Sequence, residues 1–432
     1  MTRRRHQHDS ARRAEPVVLP AGFACHTGNI GIKDGSDDVM IVAAYPHSTL
    51  SAAGRFTKSL FAGASVELSR TNAKHRRAEA VVVVSKNANV ATGEQGNCDA
   101  QNLAQRVAEA VGCEPDHVLV GSTGVIGVPY PPGKVDEYFD RWMQEQRSAE
   151  RLALWNARMI PPPETGGRWW SRDAVHAAKA IMTTDTHPKV ARATVPAGNG
   201  TATVVGIAKG SGMIEPDMAT MIAVITTDAE IEAGPLDAML GRVCDVTFNA
   251  LSVDTDTSTS DMVVMLAGGD AGPVDDEAQF EAALGEVCLD LTRQLAFDGE
   301  GAETLIVVTA NEARDDAQAK RVAKAIVNSP LVKTAVHGRD PNWGRVAMAI
   351  GKCSDETDID PDHVRIRFGD QEVYPTPATP EALAELEAYL ARDEVLISAD
   401  LGVRPDGAGG SFTVYGCDLT DQYVRINADY TT

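Results

Sequence analysis

Two stretches, Asp38-Val-Met-Ile-Val-Ala-Ala-Tyr45 and Ala78-Glu-Ala-Val-Val-Val-Val-Ser85, constrain the fold more than any others in the chain. Short, apolar and bounded by turn residues, each reads as a buried strand. Helical patterns lie between such runs. Asn97 to Val111 sets Leu103, Val107, Ala110 and Val111 at helical spacing and stops at Gly112, and His117 to Gly121 returns to strand ahead of a Gly-rich turn. Asp276 to Leu295 predicts a long amphipathic helix closed by Asp298-Gly299, and Ala378 to Ala391 a second one starting after Pro377. Interleaved strands and helices predict an α/β fold. Between Tyr138 and Ala180, the prolines and glycines of Met159-Ile-Pro-Pro-Pro-Glu-Thr-Gly-Gly-Arg-Trp-Trp170 predict a surface excursion over residues 148–172.

The balance of charge narrows the partners. A formal charge of -21 over 432 residues and a pI near 4.9 repel nucleic-acid phosphates and an anionic membrane surface, so small molecules or proteins are expected instead. The seven cysteines are scattered and form no C-x-x-C pair, which argues against disulfides and structural zinc. No apolar run reaches the roughly 20 residues of a membrane helix, and a cytoplasmic location is expected. The Arg-rich start, Met1-Thr-Arg-Arg-Arg-His-Gln-His-Asp-Ser-Ala-Arg-Arg13, lacks an apolar face, so residues 1–20 are expected to form a disordered tail.

The most unusual segment is Ala208-Lys-Gly-Ser-Gly-Met-Ile-Glu-Pro-Asp-Met-Ala-Thr-Met221. Glycines and a proline lead through the small Ala219 to Thr220. A threonine hydroxyl becomes a useful nucleophile when a base takes its proton, and the amine freed by cutting the chain before Thr220 would be such a base. Gly210 and Gly212 permit the dihedrals that could press Thr220 onto the Ala219 carbonyl. Strand and turn statistics favour the other reading of these residues, a Gly-rich loop before a buried strand. Gly210-Ser-Gly212 lacks the third glycine of a dinucleotide-binding turn. Asp254, Asp256 and Asp261 lack the glycine and terminal glutamate of a calcium loop and read as hydrogen-bonded loop carboxylates. His337-Gly-Arg-Asp-Pro-Asn-Trp-Gly-Arg345 reads as a packed turn.

The Ala208–Met221 segment resembles the autocleavage motif of the glutamate N-acetyltransferase/ornithine acetyltransferase family. Further stretches resemble the same family in order: Ala91-Thr-Gly-Glu-Gln-Gly96, Ser122-Thr-Gly-Val-Ile-Gly127, Ile181-Met-Thr-Thr-Asp-Thr186, Ser252-Val-Asp-Thr-Asp-Thr-Ser-Thr259, Asp298-Gly-Glu-Gly-Ala302, Ser329-Pro-Leu-Val-Lys-Thr-Ala335, Asp340-Pro-Asn-Trp-Gly-Arg345, Gly416-Cys-Asp-Leu-Thr420 and Ile426-Asn-Ala-Asp-Tyr430. The resemblance spans Gly28 to Thr432. It implies layered sheets flanked by helices, self-cleaved between Ala219 and Thr220 into fragments 21–219 and 220–432 that stay associated as a heterotetramer of two of each. By the same resemblance Thr220 is the nucleophile, Thr123 and Gly124 form an oxyanion hole, and Thr186, Lys209, Thr220, Glu300, Asn427 and Thr432 contact the amino-acid substrate. Lys209 and Thr186 suit an α-carboxylate and Glu300 an ammonium group. The implied reaction moves acetyl from N-acetylornithine to glutamate in arginine biosynthesis. It needs no metal and no cofactor, with acetyl-CoA a second donor if the enzyme is bifunctional.

Some positions depart from the family. Val84-Ser-Lys-Asn-Ala-Asn89 stands where relatives commonly have Asn-Ser-Gly-Asn-Ala-Asn, and Gly301-Ala-Glu-Thr304 where they have Gly-Ala-Thr-Lys. The second change makes the loop beside Glu300 more acidic. A related self-cleaving amide hydrolase or aminopeptidase, and an acyltransferase of a specialised pathway, remain as alternatives.

Overall fold

The computed structural model describes residues 16–45, 50–146, 170–215 and 221–429. Its strands are β1 (Phe23–Gly28), β2 (Val39–Ala44), β3 (Ser51–Phe56), β4 (Ala80–Val84), β5 (Val118–Ser122), β6 (Lys189–Ala197), β7 (Gly200–Lys209), β8 (Ile222–Glu230), β9 (Met262–Pro273), β10 (Leu305–Ala313), β11 (Arg365–Phe368), β12 (Gln371–Tyr374), β13 (Glu394–Asp400) and β14 (Gly410–Cys417). The helices are α1 (Ala64–Asn72), α2 (Gly93–Val111), α3 (Lys134–Gln146), α4 (Ala174–Ala180), α5 (Ala233–Val246), α6 (Glu277–Phe297), α7 (Asp316–Val327), α8 (Pro330–His337), α9 (Trp343–Gly351), α10 (Pro380–Tyr389) and α11 (Asp421–Asp429).

Three sheets result, in the orders β1-β2-β4-β5, β3-β9-β8-β7-β6 and β12-β11-β13-β10-β14. Strand side chains alternate between faces, so a strand covered on both sides needs apolar residues at every position. β4 illustrates this. Val81 and Val83 face the second sheet, where they meet Ile207, Ile222, Val224 and Val264, whereas Ala80, Val82 and Val84 face Leu103 and Val107 of α2 and Phe139 of α3. The far face of the second sheet is covered by α5 and α6 through Leu236, Leu240, Phe280, Leu284 and Leu291. Helix, sheet, sheet and helix therefore stack as four layers. The third sheet builds its own core with α7 to α10, and α6 also touches it through the cluster that includes Leu305, Val307 and Tyr415.

The helix ends follow local chemistry. Gly112 takes φ 88° just past α2, and Asp276 caps α6 by accepting the Ala278 amide. α6 runs on to Phe297, two residues beyond the sequence expectation, with Asp298 at its C-terminus. α10 starts later than expected, because Thr379 caps it and Pro380 occupies its first turn, where no amide hydrogen is needed.

Two expected boundaries shift. Val17 and Leu19 are buried, and the Leu19 amide donates to the Arg172 carbonyl at 2.8 Å, so the packed chain begins before residue 21. The excursion's last residues are packed too: Trp170 is buried, and Ser171 exchanges backbone hydrogen bonds with Cys25 of β1. Residues 148–169 of that excursion and residues 1–15 of the tail lie outside the described residues, as does the expected cut between Ala219 and Thr220.

Candidate active site

Strand register brings the chemistry to one end of the second sheet. Lys209, the last residue of β7, pairs with Ile222 of β8, which pairs on its other side with Met262 of β9. Thr220 stands two residues before Ile222 in the sequence. Met221 is buried, and its carbonyl accepts the Met262 amide at 2.9 Å. Ala219, Thr220 and Thr432 lie outside the described residues.

The end of β5 in the first sheet meets this edge. The Thr123 amide donates to the Val84 carbonyl at 2.9 Å, carrying the strand pairing one residue beyond β5. Gly124 takes φ 130°, and a Cβ there would lie 2.5 Å from the Asn87 amide nitrogen, so only glycine fits the turn. The buried Lys209 ammonium donates to Thr123 Oγ1 at 3.3 Å. Burial pushes the Lys209 amine below its ordinary range, against the pull of Asp185.

Behind Lys209 lies a buried ionic network that the sequence did not single out. Lys189, fully buried, donates to Asp185 at 2.7 Å and to Asp298 at 2.6 Å. Asp185 also accepts the Gly210 amide at 2.6 Å, and Asp298 accepts the Thr186 amide at 2.9 Å together with the Thr186 hydroxyl. Burial alone would raise both carboxyls. The neighbouring lysines outweigh it at Asp185, and His187, Lys189 and Thr186 outweigh it at Asp298, so both are held below the usual carboxylate range. The Thr186 hydroxyl proton, suited in principle to a substrate carboxylate, is thus engaged by Asp298. Asp185 and Asp298 lay inside quoted motifs, but Lys189 carried no signal beyond a lone lysine at a strand start.

The two glycines of the loop differ in role. Gly210 takes φ 147°, whereas Gly212 is not in a left-handed conformation: its missing Cβ leaves room for the Glu300 carboxylate. The turn continues with the Met213 and Ile214 amides, both donating to Asp254 at 2.7 Å, and Glu215 then accepts Asn328 at 2.7 Å and Lys324 at 3.1 Å. Asp254 is therefore a hydrogen-bonded loop carboxylate, as expected. Asp261 is not. It is buried, and its Oδ2 has no hydrogen-bond partner.

Glu300 closes the site from the other side. Its amide donates to the Ser211 carbonyl at 2.9 Å, and its carboxylate accepts Asn427 Nδ2 at 2.8 Å. α11 is thus tied back over the site, which a functional C-terminus requires. Thr420 fixes its start by donating to the Gly301 carbonyl at 2.7 Å. Glu303 turns elsewhere, toward His337, whose Nδ1 lies 3.1 Å from Asp418. Those three residues form the group among the described residues whose geometry could hold a cation, but Asp418 is occupied by the Glu303 and Thr304 amides.

Thr123, Gly124 and Lys209 are thus adjacent, Glu300 and Asn427 are bonded, and Thr186 joins them through Asp298, Lys189 and Asp185. Fold and site define a layered α/β protein with a cluster of charged groups, partly buried, at its strand ends. The chain belongs to the ArgJ family, whose sequence model matches residues 24–432. It is similar to glutamate N-acetyltransferase Oat2 of Streptomyces clavuligerus, 50% identical over 419 residues that cover 96% of this chain and 98% of the relative. It is also similar to the arginine biosynthesis bifunctional protein ArgJ of Rhodococcoides fascians, 46% identical over 428 residues and 98% of each chain. Among solved structures, that of the arginine biosynthesis bifunctional protein ArgJ of Bacillus halodurans is 41% identical. It covers 49% of this chain and 100% of its own, with a TM-score of 0.45.

Proposed function

We propose that this protein transfers acetyl from N-acetylornithine to glutamate through an acetyl-Thr220 intermediate, after cutting its own chain between Ala219 and Thr220. The observation that carries the reading is the meeting of Thr123, Gly124 and Lys209 at the strand end two residues from Thr220, on a chain of this family. The donor's acetyl carbon is attacked by the Thr220 hydroxyl, and the freed α-amine takes its proton. The Gly124 amide, with Thr123, faces the tetrahedral oxyanion. Glu300, held by Asn427, takes a substrate ammonium, and Lys209 takes the carboxylate. Acetyl-CoA is a second donor in the bifunctional form of the reaction. The two fragments assemble as a heterotetramer in the cytoplasm.

Thr220→Ala tests the reading directly. Processing and acetyl transfer should vanish together, since one hydroxyl makes both attacks. Initial rates of the parent should give parallel double-reciprocal lines, with acetyl found by mass spectrometry on the fragment starting at Thr220. Full activity in Thr220→Ala, or intersecting lines with no acetylated fragment, would overturn it.

A further inference from the structure

Lys86 carries a long side chain on a backbone that favours glycine. Its φ is 71°, in the left-handed region, where a Cβ is strained unless the surroundings hold it. Here the side chain is clamped. The ammonium donates to Asp34 Oδ1 at 2.6 Å, to Ser36 Oγ at 2.6 Å and to the Ser36 carbonyl at 3.0 Å, which engages all three of its hydrogens, and only 12% of the side chain is exposed. A lone ion pair at a surface would contribute little. These acceptors, however, are fixed beforehand. The buried Asp38 carboxyl gathers the Ile30, Gly31 and Ile32 amides, and Asn29 Nδ2 donates to the Asp34 and Ser36 carbonyls. Asp34 Oδ1 also accepts the Ser36 amide at 2.9 Å and hydroxyl at 2.6 Å. Lys86 and Ser36 hold the Asp34 carboxyl below the usual carboxylate range, so it is ionised at neutral pH.

The backbone of the same lysine is the floor of the Thr123-Gly124 turn. The Val125 amide donates to the Lys86 carbonyl at 3.3 Å, the Ala88 amide donates to the Val125 carbonyl at 2.9 Å, and Asn87 bridges to both Thr123 and Val125. The three atoms nearest to a Cβ placed on Gly124 all belong to Lys86 and Asn87. Rotating Lys86 out of its left-handed conformation would turn the 86–87 peptide over, withdraw the carbonyl from Val125 and press on Gly124. We infer that Lys86 is a positioning residue for the oxyanion donors: its ammonium, clamped by the Asp34–Ser36 loop, holds the 86–87 peptide in the orientation that aligns Thr123 and Gly124. The inference rests on Thr123 and Gly124 facing the oxyanion. Lys86 itself touches no substrate, because its three hydrogens are committed to the loop.

The test compares Lys86→Met, Lys86→Gly, Asp34→Ala and the double variant Lys86→Met with Asp34→Ala, each in the full-length protein with N-acetylornithine and glutamate. Lys86→Met keeps the strained Cβ and loses the clamp. Its kcat should fall roughly tenfold at nearly unchanged KM, a part of the loss that follows removal of an oxyanion donor. Lys86→Gly removes the Cβ and with it the strain, so it should regain most of that loss. A lysine that only stabilised the fold through its ion pair would gain nothing from glycine. Asp34→Ala, on the exposed loop, should lower kcat in the same direction and add nothing to Lys86→Met, since both break one clamp. It carries the test if Lys86→Met does not fold. Parent-like kcat in Lys86→Met or Asp34→Ala, Lys86→Gly no better than Lys86→Met, a raised KM in place of a lowered kcat, or additive losses in the double variant would each overturn the role. Gly124→Ala at the parent's kcat would instead sink the oxyanion assignment beneath it.

Discussion

Gly124 is fixed by geometry at the level of a single residue. At φ 130° an L side chain is strained, and its Cβ would press on the backbone of Lys86 and Asn87. Gly124→Ala should therefore shift the Thr123-Gly124 turn and cost acetyl transfer about a hundredfold or more, the usual loss for an oxyanion donor, while leaving the fold intact. Steady-state kinetics beside circular dichroism would check it, and parent-like kcat would refute it. Glu300→Gln should separate two steps: cleavage proceeds, and kcat/KM drops roughly tenfold to hundredfold, since the ammonium it binds arrives only with substrate. Thr123, Lys209, Glu300 and Asn427 could be named from ordered motifs because each sits in a short, unusual stretch. Lys189 could not. A lysine is read as solvent-exposed by default, and only the fold reveals that this one is buried between two aspartates from distant segments. Lys86 shows a related limit. It stands in the left-handed region at φ 71° where relatives commonly have glycine, and its ammonium is held by Asp34 at 2.6 Å, a partner that its sequence position does not suggest.

Elements are where sequence pattern was most informative and ion pairs least so. The apolar runs of β2 and β4 read as buried strands because both faces are covered, and α6 was recognisable because a long amphipathic stripe must pack on something. Which sheet an edge joins depends on pairings far apart in sequence, such as β3 with β9, so the division into three sheets could not be read locally. The joints between elements are charged. Lys189, at the start of β6, holds Asp185 on the preceding turn and Asp298 at the end of α6. Removing one member of such a group strands buried charge, so Lys189→Met should destabilise the protein by about 3–5 kcal/mol, whereas surface pairs such as Arg242–Glu281 should count for about 0–1 kcal/mol. Urea unfolding of Lys189→Met beside Arg242→Ala would check the contrast. The sign with pH follows. Asp185 and Asp298 have depressed folded-state values, so their contribution is present above the unfolded aspartate value of about 3.9 and is lost as pH falls toward the folded ones. In Lys189→Met, where the lysine no longer holds those values down, this acid-dependent loss should shrink, so the variant's stability should fall less steeply below about pH 4 than the parent's. Equal slopes for variant and parent would count against the network.

At the scale of the molecule, a cut between residues 219 and 220 falls between two strands of one sheet. β7 lies before the cut and β8 after it, yet the two pair antiparallel from Val204–Thr227 to Lys209–Ile222. β3, also before the cut, pairs with β9 along its whole length. The second sheet is thus woven from both sides of the cut, and its two faces are sealed by the first sheet with α4, which precede the cut, and by α5 and α6, which follow it. Separating them would expose the apolar faces of both inner sheets and break the ladders on each side of the β8–β9 pair, so cleavage should not release either fragment. Protein denatured in detergent should run as two bands of similar size, whereas under native conditions the fragments should elute together and melt in a single transition. Gentle dilution that yields free Thr220–Thr432 fragment with folded circular dichroism would show that the shared sheet is not what holds the halves.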